Sequence, residues 1–389
     1  MRDCWCGNAD LTPFGVDYCL CEKCETLVSL AEVTPDQLLV TDDENDFYGK
    51  KYWLNHQRDD LGFDDIFTRS RKDLSERNLH WLEIFQKYCL PPAKVLELGC
   101  SHGSFVALLH QAGYDAKGVE LSPWVVRFGQ KIFDVPILVG PVEELDFPDV
   151  CLDAIVLMDV LEHLSDPSKV LLHCLKLLKP EGVLFIQTPN YKESKTYNDL
   201  IATNAPFLGM LQPNEHIYLF SKSSVIKLFQ GLGANYVEFE PAIFARYDMC
   251  FIVSRQPLKM KKHDEIEESL LSTPQSRFVL AMLDIRKREM VLTARIDVSE
   301  SDRAARMEQI ETLTMELHES ESDRAARLEQ IETLTMELHE SENDRAARME
   351  QIETLTMELH ESESDRAARL EQIETLTKQL QGSESSHEN

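Results

Sequence analysis

The chain has 389 residues, a hydrophobic content of 43% and a formal net charge of −28. Residues 299–389 hold 24 acidic and 9 basic side chains, a net of −15, and −28 minus −15 leaves −13 for residues 1–298. Because both parts are acidic, we expect no general affinity for nucleic acid or for an anionic membrane. No apolar run reaches the roughly 18 residues of a membrane span and no basic-then-apolar leader is present, so we expect a cytoplasmic protein that does not span a membrane.

Five of the ten cysteines lie within the first 24 residues, as Cys4-x-Cys6 and then Cys19-x-Cys21-x-x-Cys24. Without a secretory signal, such clustering favours metal binding over disulfides. Two short cysteine pairs are typical of a tetrahedral zinc site that is closed to substrate, so we expect a structural zinc module. The predicted ligands are Cys4, Cys6, Cys21 and Cys24. Cys19 could replace Cys21, and reduced structural thiols are the alternative interpretation.

The segment that follows is polar and then becomes helical. DFYGKKYW, residues 46–53, is an aromatic cluster among charges. It is either a substrate-facing lid or a pin that attaches the zinc module to the main domain. Residues 68–88 carry apolar side chains at helical spacing, which predicts an amphipathic helix. Pro91-Pro92 ends this helix before the first strand of the main domain.

From Lys94 onward, apolar runs of strand length alternate with helical patterns. The predicted strands cover 94–98, 115–120, 136–139, 152–158, 182–188, 235–240 and 250–254, and the predicted helices lie near 103–112, 122–132 and 167–178. This alternation indicates a parallel sheet with helices on both faces. We therefore predict an α/β domain built on a seven-stranded sheet.

The first of these strands runs into a glycine-containing turn, VLELGCSHG at residues 95–103. Glycine lets the backbone turn tightly and approach a ligand, and an acid that ends the next strand, here Glu120, can hold ribose hydroxyls. The spacing is E-x-G-x-S-x-G, not the GxGxxG of dinucleotide sites. It resembles motif I of class I S-adenosylmethionine (SAM) dependent methyltransferases, whose middle glycine is here Ser101. The strand count and order resemble the Rossmann-like fold of the same class.

The resemblance implies a SAM site on the motif I loop. Gly99, Ser101 and Gly103 would bring the backbone close to the amino-acid part of SAM. Glu97 would orient that loop or bind the methionine amine. Glu120 would bind both ribose hydroxyls through charge-assisted hydrogen bonds, and the alternative is an ordinary exposed acid at a strand end.

Two further segments extend the resemblance, so that it covers roughly residues 90–255. Val142 and Glu143 match the family segment that contacts adenine, and Asp159 ends a strand at the edge where this fold binds its ligands. The segment MDVLEHLSDP, followed by LLKPEGVLFIQTPN, resembles the central block of small-molecule and sugar methyltransferases related to the ubiquinone-pathway enzymes. His163 in this block could act as a base or could orient a loop.

PNEHIYLFSKSSV, residues 213–225, resembles a segment of bacterial sugar methyltransferases that also carry an N-terminal cysteine-rich zinc module. In that family a Glu–His pair lies beside the acceptor, and the match falls on Glu215 and His216. Deprotonating a hydroxyl, or a carbon beside a carbonyl, needs a base of near-neutral pKa, which histidine supplies. The alternative is that His216 caps a helix or satisfies a buried carbonyl. The C-methyltransferases of that family continue into a second α/β domain, whereas this chain becomes helical and polar after about residue 257, which favours O-methylation.

Residues 299–380 contain four near-identical copies of SESDRAARMEQIETLTMELHE at a period of 21 residues. The period equals three heptads, so each copy returns to the same helical face, as coiled coils require. The apolar stripe of the first copy consists of Met307, Ile310, Leu313 and Leu317. Charged residues interrupt it in every copy, so we predict a homo-oligomer with weak pairing. The alternative is a solvated single helix or a partly disordered acidic tail.

These predictions combine into one domain order and one function. The regions are a zinc module, a linker with a helical segment, the methyltransferase domain, a helical linker, the coiled-coil repeats and a disordered tail, at residues 1–30, 31–90, 91–256, 257–298, 299–380 and 381–389. The expected function is SAM-dependent methylation of a sugar hydroxyl on a nucleotide-linked or polymer-attached glycan, in cell-surface polysaccharide biosynthesis. The alternatives are a sugar C-methyltransferase and an inactive coiled-coil scaffold.

The layout also resembles bacterial O-antigen chain-terminating methyltransferases, in which a long coiled coil follows the catalytic domain. Those proteins carry a kinase domain that this sequence lacks. The resemblance implies partners in glycan assembly and a spacer role for the repeats.

Overall fold

A computed structural model describes residues 2–384. The chain divides into two compact units, with the boundary between Leu292 and Thr293. Residues 385–389, most of the tail predicted to be disordered, lie outside the described residues.

The strands of the described residues all belong to the first unit. They are β1 Thr12–Phe14, β2 Tyr18–Cys21, β3 Thr26–Ser29, β4 Lys94–Leu98, β5 Asp115–Glu120, β6 Ile137–Val139, β7 Leu152–Met158, β8 Leu178–Pro189, β9 Tyr218–Leu219, β10 Tyr236–Glu240 and β11 Asp248–Ser254. Within residues 2–384, seven of them form a central sheet in the order β10-β11-β8-β7-β4-β5-β6. Strands β4 to β8 pair in parallel, and β11 runs antiparallel to both β8 and β10. The predicted α/β class and seven-stranded Rossmann-like sheet are confirmed.

The helices of the described residues connect these strands and continue beyond them. They are α1 Pro35–Leu38, α2 Gln57–Asp59, α3 Ile66–Asp73, α4 Leu79–Phe85, α5 Ser104–Gln111, α6 Pro123–Phe133, α7 Pro167–Leu177, α8 Tyr197–Ala202, α9 Lys222–Gly231, α10 His263–Leu270 and α11 Pro274–Glu384. Short π turns occupy Tyr52–His56 and Leu74–Asn78, and 3₁₀ turns occupy Val142–Glu144, Leu161–His163 and Pro206–Met210. The helix predicted over residues 68–88 is present as α3, a π turn and α4, and it begins earlier because Asp65 caps it by accepting from Phe67 N and Thr68 N.

The central strands are buried on both faces, as parallel strands covered by helices must be. The side chains of β7 from Ala154 to Met158 are all buried, and so are those of β8 from Val183 to Pro189. Helix α4 covers one face, where Phe85 stacks on Phe185 with ring centroids 5.7 Å apart. This core holds the carboxyl ends of β4, β5 and β7 at one edge, where ligands bind in folds of this type.

The N-terminal cysteine-rich segment is joined to the main domain through a small second sheet. This sheet has the order β1-β2-β3-β9 and is antiparallel throughout. Its last strand, β9, begins at Tyr218, two residues after His216. Tyr18 Oη donates to the His216 carbonyl at 2.9 Å, and Ser29 N donates to the Ile217 carbonyl at 3.0 Å. The cysteine-rich segment therefore holds the backbone that carries a predicted catalytic residue.

The second unit, from Thr293, is helical up to Glu384, where α11 ends. All four repeats are therefore helical, and their apolar stripes are exposed, as Leu313 at 62% and Ile331 at 59% exposure illustrate. The threonines bond back along the helix, for example Thr314 Oγ1 to the Ile310 carbonyl at 2.7 Å. Among residues 2–384, no helix combines the length and the apolar character that crossing a bilayer requires.

Candidate active site

A cavity of about 810 Å³ lies in the first unit at the carboxyl edge of the central sheet. Most of the residues predicted to bind SAM or to act in catalysis line it. They are Glu97, Gly99, Ser101, Glu120, Val142, Glu143, Asp159, His163, Glu215 and His216. Folding therefore brings together segments that are more than a hundred residues apart in the chain. Gly103 is the exception, because it caps the N-terminus of helix α5 and lies against Ile137 of β6 instead.

The loop after β4 has three residues in the left-handed backbone region. Gly99 has φ +63°, Ser101 +52° and Gly103 +76°. A Cβ atom on Gly99 would lie 2.5 Å from Val160 Cγ2, so only glycine fits there. Ser101 keeps the left-handed shape without being glycine, at a cost of roughly 1–2 kcal/mol. The loop therefore retains its ligand-binding shape although the middle glycine of the motif is replaced.

Glu120 holds this loop from the end of β5. Its carboxylate accepts backbone N–H groups from Ser101 at 3.0 Å, Leu121 at 2.8 Å and Ser122 at 3.1 Å. Burial raises the pKa of Glu120, although these three donors act in the opposite direction. Each carboxylate oxygen has more than one acceptor site, so the side chain can hold the loop and still accept from a ligand. The sequence predicted only the second role.

Glu97 is buried beside Glu120 and has an oxygen that no protein donor reaches. Among the described residues, Glu97 Oε2 has no hydrogen-bond partner. Burial raises the pKa of Glu97 to about 8. An unpartnered buried carboxylate oxygen is costly, and an ammonium group of a ligand would satisfy it.

The charge of the cavity also fits a cationic ligand. Of the described residues that line it, ten are acidic and three are basic, Arg69, Arg77 and Lys169. SAM carries an ammonium and a sulfonium group, so the residues present suit this cofactor. Glu97 and the backbone of Gly99 would hold its amino-acid part, and Glu120 its ribose.

Glu215 also lines the cavity and belongs to a polar cluster. Its Oε1 lies 2.8 Å from His56 Nε2, and Tyr52 Oη donates to its Oε2 at 3.4 Å. His56 Nδ1 in turn lies 2.6 Å from Asp60 Oδ2. Burial acts to lower the pKa of His56, but the hydrogen bonds to Glu215 and Asp60 outweigh it and raise that pKa. The cluster therefore links a buried carboxylate to a more exposed histidine.

His216 and His163 lie next to this cluster, with ring centroids 4.9 Å apart. His216 Nδ1 lies 2.6 Å from the Met210 carbonyl, and His163 Nδ1 lies 2.9 Å from the Glu215 carbonyl. Burial lowers the pKa of His216. Burial, followed by the neighbouring His216, lowers that of His163 to about 3. Both rings are therefore held in defined orientations. His216 does contact a backbone carbonyl, as the alternative interpretation proposed, but it uses only Nδ1 for this contact.

Several residues that the sequence did not single out also line the cavity. Tyr48 and Tyr52 belong to the aromatic cluster that was interpreted either as a substrate-facing lid or as a pin for the zinc module. Tyr48 Oη lies 3.1 Å from His163 Nδ1. The aromatic composition was the one available signal. Arg77 lies 3.7 Å from Asp159. The pKa of Asp248 is raised to about 8 by burial and by Asp159. Neither residue belongs to a sequence motif that would have identified it.

The N-terminal cysteines form a separate candidate metal centre. The sulfurs of Cys4, Cys6, Cys21 and Cys24 lie within 4.8 Å of one another. Two of the separations are 3.4 Å, for Cys4 and Cys24, and 3.6 Å, for Cys6 and Cys21. Zinc–sulfur bonds of about 2.3 Å in a tetrahedron place sulfurs roughly 3.8 Å apart. The four thiols therefore fit zinc, and Cys19 lies outside the group.

Comparison with known proteins gives matches over the part of the chain that supplies most of the cavity lining. Residues 70–238 match the model of a methyltransferase domain family. The chain is 32% identical over 110 residues to the ubiquinone biosynthesis O-methyltransferase of Xanthomonas campestris, an alignment that covers 27% of this chain and 46% of the relative. It is 28% identical over 154 residues to the enzyme of the same name from Dechloromonas aromatica, covering 38% of this chain and 64% of the relative.

The chain thus spans about half of the length of the first of these relatives. A solved structure of a protein from Pyrococcus horikoshii aligns with 18% identity and a TM-score of 0.39, over 54% of this chain and 100% of that one. Residues 70–238, which supply most of the cavity lining, are thus similar to methyltransferase domains.

Proposed function

We propose that this chain is a SAM-dependent O-methyltransferase whose acceptor is a sugar hydroxyl on a nucleotide-linked or polymer-attached glycan. The observation that carries the proposal is that two groups of predicted site residues line one cavity. The first group, Glu97 with its unpartnered carboxylate oxygen and Glu120, would face the cofactor, and the second, Glu215 with His216, would face the acceptor. The relatives are named as O-methyltransferases, which supports transfer to oxygen.

The cofactor side is formed by the loop after β4 and by the carboxylates around it. When bound, SAM supplies the methyl group to be transferred. Glu97 would hold its ammonium group, Glu120 its ribose hydroxyls, and Val142 with Glu143 its adenine. Asp159, which follows β7 at its carboxyl end and lines the cavity, would add negative charge that suits the sulfonium.

On the acceptor side, His216 would remove the proton from the attacking hydroxyl. The Met210 carbonyl can only accept, so Nδ1 of His216 carries the proton and Nε2 offers the lone pair. A positioned base of this kind contributes roughly 10²–10⁴ in rate. Glu215 lies beside it with His56, and His163 would orient the Glu215 backbone. Tyr48 and Tyr52 offer ring faces and hydroxyls, which suit the alternating apolar and polar surfaces of a sugar.

The remaining parts of the chain would support this activity. A zinc ion held by the four cysteines would fix the small sheet whose last strand follows His216. The exposed apolar stripes of residues 299–380 would pair with those of a second copy in a coiled coil. Such a stalk would hold catalytic domains at a distance from a glycan-assembly partner.

The proposal is tested by incubating purified protein with isotope-labelled SAM and either extracted glycans or nucleotide sugars, followed by mass spectrometry. We expect label on a sugar oxygen. Glu97→Gln should reduce SAM binding, whereas His80→Asn, which bonds the Pro241 carbonyl outside the cavity, should not. Label on carbon would support the C-methyltransferase alternative. In a parallel incubation with a ubiquinone-pathway phenol, label on the phenol but on no sugar would contradict the acceptor class. Absence of SAM binding would support the scaffold.

A further inference from the structure

Three side chains with metal-binding atoms meet at the acceptor side of the cavity. Glu162, His163 and His216 each offer one such atom, and these atoms lie within 4.8 Å of one another. All three residues line the cavity. Glu162 is almost fully buried, at 1% exposure, so its charged form needs a positively charged partner within the protein. The sequence placed the first two in one block and the third about fifty residues later, without predicting a metal there.

Each of the two histidines is oriented by a backbone carbonyl. His163 Nδ1 faces the Glu215 carbonyl at 2.9 Å, and His216 Nδ1 faces the Met210 carbonyl at 2.6 Å. A carbonyl oxygen can only accept, so Nδ1 of each ring carries a proton and Nε2 has the free lone pair. Metal-binding histidines are held in this way, with the second ring nitrogen donating to a carbonyl or carboxylate.

The carboxylate is supported in the same manner. Thr188 Oγ1 donates to Glu162 Oε2 at 2.9 Å, which leaves Oε1 for another partner. That Oε1 lies 4.0 Å from His163 Nε2. The separation is too long for a hydrogen bond. It suits two ligands of one ion, because atoms bound at about 2.1 Å lie roughly 3–4 Å apart.

We propose that Glu162, His163 and His216 bind a divalent transition-metal ion, and that this ion coordinates the acceptor hydroxyl. Two imidazoles and one carboxylate favour Zn²⁺ or another first-row ion over Mg²⁺, which prefers oxygen ligands alone. Three protein ligands leave positions open for an acceptor oxygen. The inference deepens the proposed function and rests on it, and it makes His216 a metal ligand in place of a base.

In the methyl transfer, the acceptor O–H bond breaks while the hydroxyl is bound to the ion, because a bound divalent ion lowers the pKa of the hydroxyl. The proton passes to the Glu215 carboxylate, which lines the same cavity and is linked to the half-buried His56 at 2.8 Å. The oxygen electron pair forms the new O–CH₃ bond. The S–CH₃ bond of SAM breaks, and its electron pair stays on sulfur in S-adenosylhomocysteine.

The experiment titrates Co²⁺ into the full-length protein after one equivalent of zinc has been added to fill the cysteine site. Absorption separates the two centres, because thiolate ligands give intense charge-transfer bands that nitrogen and oxygen ligands lack. We expect the wild type to bind one Co²⁺ ion whose spectrum lacks the thiolate charge-transfer bands. Glu162→Gln and His163→Asn should abolish it, and Thr188→Val should weaken it by roughly 10–100-fold, as for loss of a supporting hydrogen bond. His80→Asn, the matched histidine control, should bind as the wild type does.

Calorimetric SAM binding to protein that carries zinc only at the four cysteines shows whether each variant is folded and keeps the two proposals distinct. Loss of SAM binding in the wild type would reject the proposed function. Retained SAM binding with no thiolate-free Co²⁺ site in the wild type would reject the metal alone. Equal Co²⁺ affinity in wild type, Glu162→Gln and His163→Asn would also reject it.

Discussion

The two units of this chain treat their apolar residues in opposite ways. In the first unit, Leu96 and Phe185 are fully buried, whereas Leu313 and Leu334 in the second are each 62% exposed. Both groups of residues follow a regular pattern. A central strand meets neighbours on two sides and helices on both faces, but a single helix makes only local contacts. Periodicity therefore predicts an element, and the element buries its apolar side chains only when something packs against them.

Charge shows the same difference between the units. Acidic side chains such as Glu97, Glu120 and Glu162 are buried in the first unit, where the surroundings must supply donors or a cationic ligand. The acids of the repeats, such as Glu321 and Glu342, are exposed and need no partner. Recognition of a ligand is thus expected only from the first unit.

The largest effect should come from the cysteines. Cys24→Ser should lower the stability of the first unit by more than about 4 kcal/mol, the range for loss of a structural metal. Near-ultraviolet circular dichroism, which reports on the aromatic residues of the first unit, would follow its unfolding. Cys19→Ser is the control, since Cys19 is buried on the same small sheet but lies outside the sulfur group. Equal losses in the two variants, or a wild type without zinc by elemental analysis, would count against the metal.

His216→Ala should reduce turnover by about 10²–10⁴ while SAM affinity stays within a few-fold of wild type. The reduction is expected whether His216 removes the proton or binds an ion. Steady-state kinetics on the acceptor and calorimetry with SAM separate the two effects. Turnover within a few-fold of wild type would exclude both roles and place proton removal elsewhere.

Glu120→Ala should weaken SAM binding by roughly 1.5–3 kcal/mol, the range for a hydrogen bond to a charged group. The structure adds a second consequence, because three backbone N–H groups lose their acceptor. Glu120→Gln keeps an acceptor oxygen and should lose less of the affinity and of the thermal stability. Wild-type SAM affinity for Glu120→Ala by calorimetry would refute the cofactor placement.

The smallest effect on catalysis should come from the second unit. Deleting one 21-residue repeat keeps the heptad phase and shortens the helix by about 31 Å. Methylation in solution should be unchanged, and glycan length in cells should shift. A deletion that is not a whole number of heptads is the control, because it should also weaken self-association in sedimentation. A wild-type monomer with unchanged glycan lengths after the deletion would leave the repeats without a spacer role.

Short stretches of sequence were sufficient to predict the central sheet, the glycine loop and the repeats. The bounds predicted for β4, β5 and β7 agree with the structure, because the buried residues of each strand form a short apolar segment that ends at a turn. The β4 loop was identified from the spacing of Gly99 and Gly103, both of which adopt left-handed φ. The repeats were identified from their identity alone. In each case the signal lies within about twenty residues of sequence.

Tertiary structure alone decided how distant segments meet. His56 and Glu215 are 159 residues apart and in contact, and the choice of Cys21 over Cys19 depends on which sulfurs face Cys6. The convergence of His163 and His216 arises because β9 adds to the small sheet beside the turn after β7. Such contacts follow from sheet pairing and helix packing over long chain separations, and no periodicity or local motif encodes them.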